Sequence, residues 1–155
     1  MPGSFKSSMN NNRGVDYIGV TVTFVIHDGK GNFLLQKRSQ NTRDEQGRWD
    51  VGGGALEFGE EWSEAVNREV KEEISAKPKQ INFLKTFNAL RQNNGVSTHW
   101  IALVHAVLVD PKKVKINEPH KIDQIDWFNL NNLPSPLHSK IMDSLNAAKE
   151  AGFIN

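Results

Sequence analysis

Hydrophobic and polar positions follow two different periods along the chain, and these periods separate predicted strands from predicted helices. β-Branched residues dominate residues 17–27 (YIGVTVTFVIH), and a polar turn at 28–32 separates this segment from residues 33–37. Two such runs around a glycine-containing turn predict a β-hairpin. Further strands are predicted at residues 81–91, 98–109 and 125–128, with a turn at 92–95 between the first two.

A four-residue spacing of apolar positions predicts two helices. Residues 62–74 carry the apolar ridge Trp62, Val66, Val70 and Ile74, and residues 138–151 carry Ile141, Leu145 and Ala148 before a stop at Gly152. Strands lie on both sides of the first helix, and the second helix follows the last strand. This order predicts the α/β class, with a mixed β-sheet between helices.

The remaining segments define the domain organisation. Residues 1–14 are polar and offer little to bury, which predicts a flexible tail followed by a single domain over 15–155. Residues 39–48 are predicted to form a polar loop, and residues 49–51 lead into a run of three glycines, Gly52–Gly54. Consecutive glycines indicate a sharp turn or a backbone that lies close to a ligand.

Composition narrows the function classes. The 155 residues carry a net charge of +1, which gives no indication of a nucleic-acid groove or of attraction to an acidic membrane. Cysteine is absent, which excludes disulfides, thiolate nucleophiles and zinc–thiolate sites. We find no apolar signal core and no run long enough to span a bilayer, so a cytoplasmic location is expected.

Three carboxylates, those of Glu69, Glu72 and Glu73, are expected on one face of the first helix, within an arc of roughly 100°. Like charges at this spacing repel each other, whereas a hard cation such as Mg²⁺ takes oxygen ligands and would reverse the sign of the interaction. An alternative is a solvated surface on which Arg68 pairs with Glu64 and Glu72, four residues away on either side.

The segment 54–76 resembles the Nudix box, G-x5-E-x7-R-E-U-x-E-E-x-G-U, in which U is a bulky aliphatic residue. The matching positions are Gly54, Glu60, Arg68, Glu69, Val70, Glu72 and Glu73. Ser75 and Ala76 depart from the last two box positions, and Gly52 stands where proline is frequent. These departures lie at a turn and a helix end, away from the carboxylates.

The resemblance implies an α/β/α sandwich and an Mg²⁺-dependent hydrolase, with Mn²⁺ as an alternative ion. Such enzymes cleave the phosphoanhydride of a nucleoside diphosphate linked to another moiety. The implied metal ligands are Gly54 through its carbonyl, Glu57, Glu69, Glu72 and Glu73. Arg68 is expected to orient Glu69 and Glu72, either of which is a candidate general base. Glu118 matches a loop glutamate that serves as the base in some members, although loop glutamates are more often simply solvated.

Candidate substrate contacts are Lys37, Arg38, His99 and Trp100. Lys37 and Arg38 end a strand and are within reach of phosphate, but edge lysines also protect sheets. Trp100 could stack on a base, while packing in the core is the more frequent role. The expected partner is a small nucleotide diphosphate derivative whose identity stays open, and a homodimer stays open too. A non-catalytic nucleotide-sensing module is the alternative function.

Overall fold

The structure, a computed structural model, describes residues 12–155. The strands are β1 (Gly19–His27), β2 (Phe33–Arg38), β3 (Trp49–Asp50), β4 (Gly52–Ala55), β5 (Gln80–Asn93), β6 (Val96–Leu108) and β7 (Ile122–Phe128). The helices are α1 (Trp62–Ile74) and α2 (Ile141–Glu150), and a single 3₁₀ turn spans Pro111–Lys113. The predicted bounds of α1 are confirmed, whereas β5 and β7 are longer than predicted and α2 is shorter.

The seven strands form one mixed sheet. Its order is β3-β2-β1-β6-β5, with β4 paired to β1 and β7 paired to β2. The central strands β1 and β6 run parallel, and the other pairs are antiparallel. The predicted mixed sheet is confirmed.

The two helices cover opposite faces of this sheet because side chains alternate along each strand. From β1, Val22, Phe24 and Ile26 pack with α1, whereas Val25 packs on the other face with α2. Burying each of these aliphatic or aromatic side chains contributes about 1.5–3 kcal/mol. The α/β/α sandwich is therefore confirmed, and neither helix within residues 12–155 has the length and apolar character needed to cross a membrane.

The turn between β5 and β6 has the geometry that its sequence predicts. Asn94 and Gly95 have φ angles of 52° and 80°. Two central residues with positive φ define the type I′ turn, whose twist matches that of the flanking strands. This tight connection fixes the register of the long hairpin, which extends from the Gln80–Leu108 pair to the Asn93–Val96 pair.

The glycine run departs from the prediction, because Gly52–Ala55 forms strand β4 rather than a turn and pairs with β1. A Cβ atom at Gly52 would overlap the buried ring of Phe24, and one at Gly54 would overlap the carboxylate of Glu69. The glycines thus allow neighbouring side chains to lie directly on the strand.

Of the predicted flexible tail, residues 1–11 lie outside the described part of the chain. Residues 12–14 contact the domain: the N–H of Gly14 donates to the Tyr17 carbonyl over 2.7 Å, and its carbonyl accepts from the His99 N–H over 2.8 Å. The ring of Trp100 also lies against Gly14. The division into a tail and one domain stays a prediction.

Candidate active site

Helix α1 begins with a capping box that also explains why one predicted ion pair is not formed. The Glu61 N–H donates to the carboxylate of Glu64 over 2.9 Å, and the Glu61 side chain accepts in return from the backbone N–H of Glu64. Glu64 is therefore engaged at the helix start rather than paired with Arg68. In the alternative ladder of Glu64, Arg68 and Glu72, the Arg68–Glu72 contact is present at 3.5 Å and the Glu64–Arg68 pair is not.

Arg68 instead joins the acidic loop to the helix. Its guanidinium forms a two-point contact with Glu60, with distances of 2.7 and 2.8 Å, and also donates to the Ala55 carbonyl over 3.1 Å. The same group contacts Glu69 at 2.5 Å and Glu72 at 3.5 Å. The hydrogen bond from Arg68 lowers the pKa of Glu60 to about 2. Arg68 thus contacts both glutamates that it was predicted to orient.

The carboxylate of Glu69 lies directly over Gly54, where only a residue without a Cβ leaves room for it. The Gly54 carbonyl accepts a hydrogen bond from the Thr21 hydroxyl over 2.9 Å. Burial raises the pKa of Glu69, and the charges of Glu72 and Glu118 act in the same direction, although Arg68 opposes them. The strand and the helix together place the Glu69 carboxylate against the backbone of Gly54.

Glu73 is the buried member of the carboxylate set, with 5% of its surface exposed. Its carboxylate accepts a hydrogen bond from Gln36 Nε2 on β2 over 2.8 Å. Burial raises the pKa of Glu73 well above its usual range, and the charges of Glu69 and Glu118 raise it further. Burial therefore disfavours the ionised form of Glu73 when no cation is bound.

Glu118 is brought to the box by its neighbour Asn117. The Asn117 N–H donates to the Glu73 carbonyl over 2.9 Å, and its side-chain amide donates to the Glu72 carbonyl over 3.0 Å. These bonds satisfy carbonyls at the C-terminal end of α1, which have no partner within the helix. Because the loop is fastened in this way, Glu118 lies close enough to raise the pKa values of Glu69 and Glu73.

Glu57 is the most exposed of the predicted carboxylate ligands. Its side chain is 54% exposed and pairs with Arg13 over 3.5 Å. Glu72 is also half-exposed, at 49%. Within residues 12–155, no group of three or more histidine, aspartate or glutamate side chains is gathered in a metal-holding arrangement. The donor chemistry nevertheless fits a hard cation, since every candidate ligand is an oxygen and the Gly54 cradle accommodates a carboxylate.

A cavity of about 440 Å³ borders strand β4, including Gly54, against which the Glu69 carboxylate lies. Strand β4 forms one wall, and Phe87, Ala89 and Trp100 contribute apolar surface. Several basic side chains also line it: Arg38, Arg43, Arg91, Lys121 and Lys140. The carboxylates of Glu69, Glu72 and Glu73 are not among its lining residues. A space with a basic lining and an aromatic ring suits a phosphorylated ligand that carries a ring.

The four predicted substrate contacts form two pairs of neighbours in sequence, and only one member of each pair lines the cavity. Arg38 and Trp100 line the cavity, whereas Lys37 and His99 are not among the residues of the described chain that do so. His99 instead contacts Asn88 over 2.8 Å. The ring of Trp100 packs over Gly14 and Gly19, and the Arg43 guanidinium lies 5.9 Å from its centroid. Trp100 thus combines the packing role and the cavity position, which were predicted as alternatives.

A second ionic cluster was not found from sequence. Arg38 pairs with Asp44 over 2.9 Å, and Arg91 contacts Asp44 at 3.3 Å and Glu45 at 2.5 Å. His138 Nε2 lies 2.9 Å from Glu45 and 3.7 Å from Asp50. These residues come from the end of β2, from the loop 39–48, from β3, from β5 and from the segment that precedes α2. They were missed because only the fold brings such distant positions together.

The pKa values of two acids in this cluster, Glu45 and Asp50, are shifted in opposite directions. Burial acts to raise the pKa of Glu45, but hydrogen bonds from Ser139 and Arg91 and the charge of His138 together lower it. Burial raises the pKa of Asp50 despite the nearby His138 and Arg38. The guanidinium groups of Arg38 and Arg91 are therefore largely neutralised by acids in place, and Arg43 also contacts Asp44 at 3.5 Å. Among the described residues, Lys121 and Lys140 are the lining basic groups without an ion pair and thus the best suited to a ligand phosphate.

Comparison with known proteins agrees with this geometry. The sequence profile of the NUDIX domain matches residues 18–147. The chain belongs to the NUDIX family. Over 119 residues it is 33% identical to an ADP-ribose pyrophosphatase from Methanocaldococcus jannaschii, which covers 76% of this chain and 67% of that protein. The Nudix resemblance seen in the box is therefore confirmed over the domain.

Solved structures match the same domain. A MutT NUDIX hydrolase from Burkholderia pseudomallei superposes with a TM-score of 0.74 and 28% identity, covering 84% of this chain and 97% of that one. A MutT protein from Methanosarcina mazei Go1 gives a TM-score of 0.71 and 25% identity, covering 87% and 96%. With the family match, these similarities make the chain a Nudix pyrophosphohydrolase.

Proposed function

We propose that this Nudix domain hydrolyses the phosphoanhydride of a nucleoside diphosphate linked to another moiety, in a reaction that depends on Mg²⁺. The observation that carries the proposal is the position of the cavity, whose basic lining adjoins strand β4 and therefore the Gly54–Glu69 contact. A diphosphate bound there would meet Lys121 and Lys140 and would lie against strand β4, whose Gly54 contacts the Glu69 carboxylate.

The residues that would hold the cation are Gly54, Glu69, Glu72 and Glu73, with Glu57 at the margin of the set. Mn²⁺ takes similar oxygen ligands and would serve in place of Mg²⁺. A bound divalent ion supplies charge neutralisation on phosphoryl oxygens and a lower pKa for a coordinated water. The carboxylates supply the negative charge that retains the ion, and Arg68 holds Glu69 and Glu72 in place.

Glu118 is our choice of proton acceptor from the attacking water. Asn117 fastens its loop to the end of α1, so that its carboxylate acts electrostatically on Glu69 and Glu73. Glu69 is less suited to this task in the arrangement observed, because Arg68 already neutralises its carboxylate at 2.5 Å. Glu72 is the remaining candidate on the helix.

ADP-ribose is the substrate that we propose first. The relative from Methanocaldococcus jannaschii carries the name ADP-ribose pyrophosphatase. The cavity also has room for more than a diphosphate, and its polar wall of Asp50, Asp44 and His138 offers partners for hydroxyl groups. Hydrolysis between the two phosphorus atoms would consume one water and release AMP and ribose 5-phosphate.

A nucleotide-sensing module without catalysis is the alternative. It would keep the cavity and dispense with the carboxylates. The complete set of Glu69, Glu72 and Glu73, together with Arg68, favours the enzyme. A cytoplasmic location and a homodimer stay predictions from the sequence, as does the absence of a nucleic-acid partner.

The proposal is tested by a substrate screen with Mg²⁺. Purified protein is incubated with ADP-ribose, nucleoside triphosphates, oxidised nucleotides and nucleotide sugars, and products are quantified after pyrophosphatase or phosphatase coupling. We expect Mg²⁺-dependent turnover of at least one diphosphate-linked compound, ADP-ribose first. Binding of these compounds without turnover of any of them, at saturating Mg²⁺, would favour the sensing module instead.

A further inference from the structure

Gln36 is held rigidly next to the buried carboxylate of the box. It lies in β2, where its backbone pairs with Asp50 of β3 on one side and with Ile125 of β7 on the other. Strands on both sides fix the position of its Cα atom, and alternation along the strand directs its side chain towards the α1 face. The Gln36 side chain therefore extends to Glu73 from a fixed backbone position.

The amide of Gln36 connects two parts of the site. Its Nε2 donates to Glu73 Oε1 over 2.8 Å and lies 3.4 Å from the carbonyl oxygen of Val51. Val51 directly precedes the glycine strand β4. The backbone of Glu73 is fastened separately by Asn117. The Glu73 side chain is thus constrained at both ends, at its backbone and at one carboxylate oxygen.

The neutral character of this donor distinguishes Glu73 from the other two helix carboxylates. Glu69 and Glu72 both contact the Arg68 guanidinium, which offsets their charge. Among residues 12–155, no basic side chain forms an ion pair with Glu73, and Gln36 is its side-chain partner. A lysine or arginine at position 36 would neutralise Glu73 and compete with a cation, whereas an amide orients the carboxylate without supplying a counter-charge.

We propose that Gln36 is a positioning residue for the divalent cation, acting through Glu73. This inference rests on the proposed function, because it assigns Gln36 to the metal that the hydrolase would use. Residues that hold metal ligands in place by hydrogen bonds contribute strongly to metal affinity, and their loss costs about 10-fold to 100-fold in affinity or activity. The effect of Gln36 should appear in metal affinity before any nucleotide is added.

The test compares Gln36→Leu and Gln36→Asn with wild type. Leucine removes the donor at similar volume, and asparagine keeps the amide but is one methylene too short to reach Glu73. Gln124→Leu is the matched control, because Gln124 is exposed on the adjacent strand β7. The melting temperature is recorded against Mg²⁺ concentration without nucleotide, and Mn²⁺ binding is measured by electron paramagnetic resonance.

We expect both Gln36 variants to need at least about 10-fold more Mg²⁺ for the half-maximal shift in melting temperature. The control should stay within twofold of wild type. At saturating Mg²⁺, KM for the nucleotide should also stay within twofold, and high Mg²⁺ should restore turnover. A purely structural role would instead lower the melting temperature in EDTA and leave the Mg²⁺ midpoint unchanged.

Two negative results are distinguishable. If wild type responds to Mg²⁺ and both Gln36 variants keep the same midpoint within twofold, the positioning role is overturned and the proposed function stands. If wild type shows no Mg²⁺ response and no Mn²⁺ binding, the proposed function fails and this inference fails with it. Should Gln36→Leu not fold, the Gln36→Asn titration decides the question alone.

Discussion

Glu73 is the residue at which stability and function are expected to oppose each other. Burial raises its pKa, so the metal-free folded state binds a proton more tightly than the unfolded state does. The stabilising effect of this proton is fully present below the unfolded pKa, about 4.3, and is lost as the pH rises through the raised folded pKa. In EDTA at neutral pH, Glu73 therefore destabilises the fold when it is forced to ionise.

The first prediction follows from the raised pKa of Glu73. In EDTA, Glu73→Gln should melt at a higher temperature than wild type at pH 8, and the difference should shrink as the pH falls towards about 4.5. The amide keeps the side-chain volume and an oxygen acceptor for Gln36. Activity should be largely lost. Differential scanning fluorimetry across this pH range is the measurement, with the exposed Glu72→Gln as a control that should shift little. A lower melting temperature for Glu73→Gln at pH 8 would contradict this account.

Glu118 provides the second prediction at this scale. If its carboxylate accepts the proton of the attacking water, Glu118→Gln should lower kcat by about 100-fold or more. Neither KM nor the Mg²⁺ midpoint should change more than a few-fold, since the residue would act only in the chemical step. Steady-state kinetics over a range of Mg²⁺ concentrations separates these quantities. A kcat within a few-fold of wild type would identify Glu118 as a solvated loop residue and direct attention to Glu72.

At the scale of elements, strand β4 gives a third prediction that contrasts two glycines. A Cβ at Gly54 would meet the end of a flexible side chain, the Glu69 carboxylate, whereas a Cβ at Gly52 would meet the buried ring of Phe24. Gly54→Ala should therefore keep the melting temperature and lower kcat/KM between about 10-fold and 100-fold. Gly52→Ala should lose about 1–3 kcal/mol of unfolding free energy through overpacking.

Urea denaturation and kinetics on both variants check this contrast. Unchanged kcat/KM in Gly54→Ala would show that the position of Glu69 over the glycine is not needed for turnover.

The C-terminal end of α1 carries a fourth prediction. Ser75 ends the helix with a φ of 58°, in the left-handed region, at the box position where the family pattern has glycine. An L-residue in this region is strained by about 1–2 kcal/mol. Glycine removes this strain, but it loses more conformational entropy on folding, which offsets part of the gain. Ser75→Gly should raise the free energy of unfolding by about 0.5–1 kcal/mol in urea denaturation. Ser63→Gly, within the helix, should lower it, and a loss of stability in Ser75→Gly would contradict this explanation.

Elements with a regular local pattern could be predicted from sequence, and elements defined by their neighbours could not. The four-residue spacing from Trp62 to Ile74 fixed the bounds of α1 correctly. The strand character of Gly52–Ala55 was hidden, because three glycines have no side chains to show a period. Helix α2 starts at Ile141 rather than at 138, since the His138 N–H donates to the Trp49 carbonyl over 2.8 Å.

At the scale of the whole molecule, the fold joins two charged regions that the sequence keeps apart. The box and its carboxylates are contiguous in sequence, so their chemistry could be predicted. The cluster around Glu45 could not, because the ion pairs of Glu45 reach to Arg91 and His138, and its hydrogen bond reaches to Ser139. For the same reason Arg38, a predicted phosphate contact, proved to be paired with Asp44. The cavity is lined by residues of the second region and by strand β4.

The most direct test of the central claim, that the box carboxylates make this cavity an Mg²⁺-dependent active site, is the fifth prediction. It is the rate of AMP release from ADP-ribose, measured against Mg²⁺ concentration for wild type and Glu72→Gln. Glu72 is half-exposed, so its replacement should leave the fold intact while removing one charge from the set. We expect Mg²⁺-dependent release by wild type and loss of most of this turnover in Glu72→Gln. Wild-type-like activity of Glu72→Gln at limiting Mg²⁺ would contradict the account.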